Sequence, residues 1–157
     1  MSETLNADGY GVDPSRSAVK YASQTFPALT TEVGFGDSVP FDSGSFDLVH
    51  LGFYLYLADR DDYLKCVSEA DRLLKFGGFL SIIDFDTPIP YSNEYVHKKG
   101  AFTHKTDNAR VFVASGLYGV VNKYSFSHSG FCFDKTIDER IALTLLYKES
   151  ELLAACD

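Results

Sequence analysis

The chain of 157 residues has no tryptophan, one methionine and three cysteines. Cys66, Cys132 and Cys156 are far apart and odd in number, so they fit neither a C-x-x-C metal pair nor a disulfide framework. That usage suits a reducing compartment, and a cytoplasmic location is expected. Basic charge is also scarce. Lys and Arg number 14 against 22 Asp and Glu, a net charge of −8. A general phosphate-backbone binder needs a basic face, so no nucleic-acid partner is expected. No apolar run approaches the ~20 residues that would span a bilayer. Residues 1–8 lack a basic start followed by an apolar stretch, so no secretory leader is expected. The four histidines show no metal-ligand spacing and H-E-x-x-H does not occur, so no metal site is expected. What is abundant is apolar material: 45% of the chain, with 13 Phe and 10 Tyr, enough for one packed core in a single domain.

The periodicities alternate between strand and helix. Gly9 to Asp13 predicts a short strand ending in an acid, and Pro14-Ser15 opens a helix with Ala18, Val19, Ala22 and Phe26 at helical spacing, closed by Pro27. Thr30 to Phe35 predicts a second strand running into Gly36-Asp37-Ser38. Phe46 to Leu51 is apolar on both faces, as a buried parallel strand should be. Asp59 to Leu74 predicts a helix N-capped by Asp59, with Tyr63, Val67, Ala70 and Leu74 along one stripe and Gly77-Gly78 as its stop. Phe79 to Phe85 predicts another buried strand, residues 88–106 a long connection, and 108–115 a short helix. Leu117 to Phe126 and Arg140 to Lys148 predict an antiparallel pair, and residues 150–157 a helical tail. The expected fold is therefore α/β: a Rossmann-like, mostly parallel sheet with helices on both faces and a C-terminal antiparallel strand pair. One domain is expected over 1–157, with a ligand-binding half at 9–86, a variable connection at 87–116 and the strand pair at 117–148.

Three pieces in order, YGVDPSRSAVKYA, FGDSVPFDSGSFDLV and EADRLLKFGGFLSIIDF, resemble the class I S-adenosylmethionine-dependent methyltransferases over roughly residues 9–86. The resemblance implies S-adenosyl-L-methionine as cofactor and a small-molecule methyl acceptor. It assigns Asp13 to the cofactor's ribose, because a carboxylate accepts from both hydroxyls, and puts Pro14 near the adenine. The alternative for Asp13 is an acid that simply favours a helix N-terminus. Asp37, with Ser38 beside it, would accept from the adenine amino group, or else close an Asx turn. Leu51 and Gly52 fall at a strand tip, where ligands sit in open α/β sheets; the alternative for the glycine is that it simply ends the strand. Asp84, Asp86, His50, His104 and His128 could supply a base, and Asp86 has the best position, just past a strand. Phe53, Tyr54 and Tyr56 read as core or crevice wall, with substrate stacking as the alternative.

One departure stands out. The family holds its cofactor first by a glycine-rich turn after strand one, and no such pattern precedes Gly9. The first strand, central in that fold, therefore reads as missing. Its loss should leave two open sheet edges. Either the flanking strands Gly9–Asp13 and Phe46–Leu51 pair directly, or another chain covers them, as in a homo-oligomer; a sequence shortened at its N-terminus is the third option. The functional alternative to an enzyme is a degenerate fold serving as a non-catalytic interaction module. A nicotinamide-binding Rossmann domain shares the ribose acid but leaves the second and third blocks unexplained.

Overall fold

A computed structural model describes residues 7–149, which fall into two compact units divided between Pro40 and Phe41. In the first unit β1 (Gly9–Asp13) and β2 (Leu29–Val33) pair in parallel, with Asp13 opposite Val33. Between them runs α1 (Arg16–Thr25), capped by Ser15, whose Oγ accepts from the Ala18 N–H at 3.3 Å. This satisfies one of the donors that a helix start leaves orphaned.

The second unit contains β3 (Phe46–Gly52), a 3-10 turn (Leu55–Leu57), α2 (Tyr63–Leu73), β4 (Leu74–Phe85), β5 (Tyr91–Glu94), β6 (Phe102–Lys105), α3 (Ala109–Ala114), β7 (Tyr118–Ser127) and β8 (Arg140–Lys148). Four strands form one sheet in the order β3-β4-β8-β7. β3 and β4 are parallel, whereas β8 is antiparallel to both its neighbours. Leu80 lies opposite Leu146, and alternation brings Ile82 to the same face. That face packs on Cys66 and Ala70 of α2, Phe112 of α3 and Leu55 of the 3-10 turn, making the core. Fully burying one such leucine contributes about 1.5–3 kcal/mol.

Three expectations are corrected. Among the described residues Gly9–Asp13 has β2 as its strand partner rather than Phe46–Leu51, and β3 is bonded to β4. The long helix is shorter than its stripe suggested. It begins at Tyr63, after a turn in which the carbonyl of Asp59, not its side chain, accepts from Asp62 and Tyr63. It ends at Leu73, before the glycine pair, because Leu74 turns to extended backbone and Lys148 Nζ takes the carbonyls of Asp71 and Leu74 at 2.7 and 3.1 Å. Gly77-Gly78 instead accommodate a register shift within β4. Gly77 has φ +76, and a Cβ on Gly78 would stand 2.9 Å from the Lys75 carbonyl oxygen. Finally, the connection at 88–106 holds the antiparallel hairpin β5–β6, in which Tyr91 faces Lys105 and Glu94 faces Phe102. The expected tail at 150–157 lies outside the described residues.

A buried acid ties the second unit together. Asp84, 3% exposed, accepts from the N–H groups of Phe85 and Tyr56 at 2.8 and 3.2 Å and from Asn108 Nδ2 at 2.9 Å. Asn108 in turn accepts from the Tyr63 hydroxyl at 2.9 Å. One carboxylate thus joins β4, the 3-10 turn, the start of α3 and, through Asn108, α2. Burial nevertheless pushes its carboxyl up to about 6, with the three donors acting in the opposite sense.

Two stability predictions follow from these contacts. A carboxyl whose folded-state pKa is raised takes up more protons folded than unfolded between pH 4 and pH 6. Its contribution to stability is therefore largest at low pH and is lost as pH rises through that window, by about 3 kcal/mol in all. Urea unfolding at stepped pH should show this fall, and the difference between wild type and Asp84→Asn should isolate it. Lys148→Met should destabilise by about 2 kcal/mol in the same assay, since two helix-end carbonyls and Asp71 lose their ammonium partner.

Candidate functional site

Both units contain parallel strands, whose C-terminal ends are where α/β sheets place ligands. In the first unit, Asp13 ends β1 and is exposed. Its Oδ1 accepts from the Ser15 N–H at 2.7 Å across Pro14, an Asx turn that leads the chain into α1. Oδ2 has no partner among the described residues. The Asp13 carbonyl accepts from the Gly34 N–H at 3.2 Å, so the segment leaving β2 runs alongside it. Asp37 and Ser38 lie in the turn beyond, where the Ser38 N–H reaches the Phe35 carbonyl at 3.5 Å. Asp13, Pro14, Asp37 and Ser38 are thus grouped off one end of one two-stranded sheet.

In the second unit the corresponding end carries Leu51, Gly52 and Asp86. Leu51 packs its side chain against the core, which leaves only its backbone for a ligand. Gly52 is exposed, and a Cβ there would meet His50 Nε2 at 3.0 Å. A side chain here would press on the neighbouring imidazole, a reason for glycine that is independent of any ligand. His50 Nδ1 lies 3.0 Å from Ser81 Oγ on the adjacent strand. Partial burial lowers its pKa, so the ring is neutral at pH 7.

Asp86 is occupied on both oxygens. Lys123 Nζ donates to Oδ1 at 2.8 Å, Ser125 Oγ to Oδ2 at 2.7 Å, and Arg140 Nε lies 3.5 Å from Oδ2. Lys123 also pairs with Asp107 at 2.8 Å. Partial burial pushes the Asp86 carboxyl up, but these partners outweigh it and hold it below the usual carboxylate range. A carboxylate stabilised in this way is a weak proton acceptor.

The same end of the sheet holds a group of rings that spacing alone did not assemble. Phe53, immediately after β3, is the sole non-glycine residue with positive φ among the described residues, at 48°. A bulky residue in that region costs about 1–2 kcal/mol. Its N–H bonds to the Ile83 carbonyl at 2.9 Å. Its ring meets Tyr56 at 6.3 Å, Phe85 at 6.3 Å and His128 at 5.5 Å, each edge to face. Phe85 also lies parallel to His128 at 6.5 Å, and Lys105 Nζ sits 3.9 Å from the Phe85 centroid. Burial, with Tyr95 and Asp84 nearby, pushes the Tyr56 hydroxyl up to about 12, so it stays protonated. The sequence signal was the density of aromatics after a strand tip. The contribution of His128, from the β7–β8 connection, was not visible there.

Comparison with known proteins agrees with this architecture. A family model described as methyltransferase domain matches residues 1–82. The uncharacterized methyltransferase sll0829 of Synechocystis sp. is 32% identical over 78 residues, which cover 50% of this chain and 37% of that protein. The ubiquinone/menaquinone biosynthesis C-methyltransferase UbiE of Geobacter sp. is 36% identical over 70 residues, 44% of this chain and 29% of that protein. The chain spans about a third of the length of these curated relatives. A crystal structure of a SAM-dependent methyltransferase from Methanosarcina mazei matches with a TM-score of 0.71 at 15% identity, covering 96% of this chain and 88% of that one. At that identity the shared property is the fold, and it is the Rossmann-like α/β fold expected above. With its family model covering more than half of its residues, the chain belongs to the methyltransferase domain family.

Proposed function

We propose that the chain works as an S-adenosyl-L-methionine-dependent methyltransferase domain acting on a small molecule. The observation that carries this reading is Asp13, an exposed acid at the C-terminal tip of a parallel strand with one carboxylate oxygen uncommitted among the described residues. In this reading Asp13 accepts from the cofactor's ribose hydroxyls, with Pro14 beside the adenine. Asp37 and Ser38 meet the adenine edge from the turn after β2, and in the second unit the backbone of Leu51 and the exposed Gly52 border a ligand at the tip of β3. Bound, the cofactor supplies a methyl group on a sulfonium, an electrophile that needs a nucleophile held in line more than it needs acid catalysis. Asp86, engaged by Lys123, Ser125 and Arg140, serves to fix the ends of β4, β7 and β8.

A second reading is a non-catalytic interaction module. Neither Cys66, which meets the Tyr54 hydroxyl at 3.2 Å, nor Cys132 is in a disulfide, which suits a reducing, cytoplasmic setting for either reading. Pairing with a second copy is also proposed, because β3 ends its sheet. Phe79, Leu143 and Tyr124, on the face opposite the core, also remain 40%, 43% and 52% exposed.

Isothermal titration with S-adenosylhomocysteine separates the two readings. Saturable heat, with affinity reduced about tenfold or more in Asp13→Ala, is expected from loss of a charged hydrogen-bond acceptor. No heat at millimolar ligand would rule out cofactor binding by this chain. Light scattering after size exclusion should give twice the monomer mass, and a clean monomer removes the second copy.

A further inference from the structure

The ring cluster at the tip of β3 and β4 is not explained by packing alone. Its members come from separate stretches of chain: Phe53 from the end of β3, Tyr56 from the 3-10 turn, Phe85 from the end of β4, and His128 from the β7–β8 connection. Phe85 is buried, and Lys105 Nζ, paired with Asp138 at 2.6 Å, sits 3.9 Å from its ring centroid. Phe53 and Tyr56 are only half-buried, and His128 is exposed. The cluster thus combines one buried ring with two half-buried rings and an exposed imidazole.

Phe53 supplies the second observation. A ring needed merely to fill space could be delivered from ordinary extended backbone. Here the chain adopts a left-handed conformation at a phenylalanine, where glycine would be the relaxed choice. Strain of this kind is retained where a side chain must be presented in one direction. The geometry points to an acceptor-recognition wall: Phe53 and Tyr56, packed on the buried Phe85, take a planar aromatic ring, and His128 hydrogen-bonds its hydroxyl or ring nitrogen. The ring faces offer the offset and edge-to-face contacts that a flat π-system matches and a saturated ring does not. The imidazole can donate or accept according to tautomer, which suits a phenol or a heterocyclic nitrogen. This inference names the substrate class for the methyltransferase reading above and rests on it for the word acceptor. The wall itself can be tested without the cofactor.

The probe is 2-naphthol, followed by its own fluorescence, with the saturated 2-decalol as competitor, each in the presence and absence of S-adenosylhomocysteine. Wild type should bind 2-naphthol and prefer it to 2-decalol by about tenfold, as expected if aromatic contacts rather than area decide. Phe53→Gly should reduce 2-naphthol affinity about tenfold while remaining folded by thermal unfolding, because glycine removes the left-handed cost. His128→Ala, on an exposed connection, should weaken it about threefold, the effect of one modest hydrogen bond, and serves if Phe53→Gly fails to fold. Equal affinity for the two probes would reduce the wall to an unspecific apolar patch and overturn the proposal. So would no 2-naphthol binding at millimolar concentration, or unchanged binding in both variants. Loss of S-adenosylhomocysteine binding with 2-naphthol binding intact would count against the cofactor reading alone.

Discussion

The second unit depends on one buried carboxylate. Asp84 carries little exposed surface, yet it collects a donor from its own strand, one from the 3-10 turn and one from the start of α3. An isolated ionised acid inside a core would cost several kcal/mol, so the site persists only because its oxygens are satisfied. The same desolvation that raises its pKa makes its hydrogen bonds strong and directional. Those bonds fix where the chain goes after β3. Tyr56 N–H must reach Asp84, which restricts the path of residues 53–56 and so the position of the Phe53 and Tyr56 rings. A polar junction on the core side of the sheet thereby orders an aromatic surface at the strand tips.

Much of the fold was legible because its signals are local. The boundaries of β1 and β8 were read to the residue, and those of β2 and α1 to within one or two, since alternation, an acid at a strand tip and Pro14-Ser15 all lie within the segments they define. The errors share one cause, an interaction partner far away in sequence. The C-terminal end of α2 is fixed by Lys148, on the last strand, and a stripe running to Leu74 could not reveal a cap donated from there. Gly77-Gly78 looked like a helix stop because glycine suits that role, and it proved equally suited to a strand whose register shifts. The hairpin at 88–106 was hidden because β5 and β6 are short and half polar. It is held by Tyr91 and Lys105 meeting Asp138, beyond the reach of any periodicity.

The site divides in the same way. Asp13 and Asp37 could be located by motif because each follows directly from the strand that carries it. Their surroundings needed coordinates: Asp13 uses one oxygen to start α1 and keeps the other, so the helix-initiating and ligand-binding interpretations are compatible rather than rival. Asp86 shows the converse. Its position past a strand was read correctly, but Lys123, Ser125 and Arg140 come from β7 and β8, and their convergence turns an apparent base into an ion-network anchor.

Strand β4 shows how one short sequence serves both stability and recognition. Adjacent side chains point to opposite faces, so Leu80, Ile82 and Asp84 build the core while Phe85, one residue on, turns to the other side. There it meets Phe53, Tyr56 and His128. A one-residue slip would exchange the two sets and put a carboxylate where the ring belongs. Register is protected against such a slip by the pairing of β4 with both β3 and β8, and by the glycine pair that absorbs the irregularity near its start rather than its end. The irregular part of the strand therefore lies at the end remote from the ring cluster. The seven residues Phe79–Phe85, paired without interruption to β8, carry the order that the functional end requires.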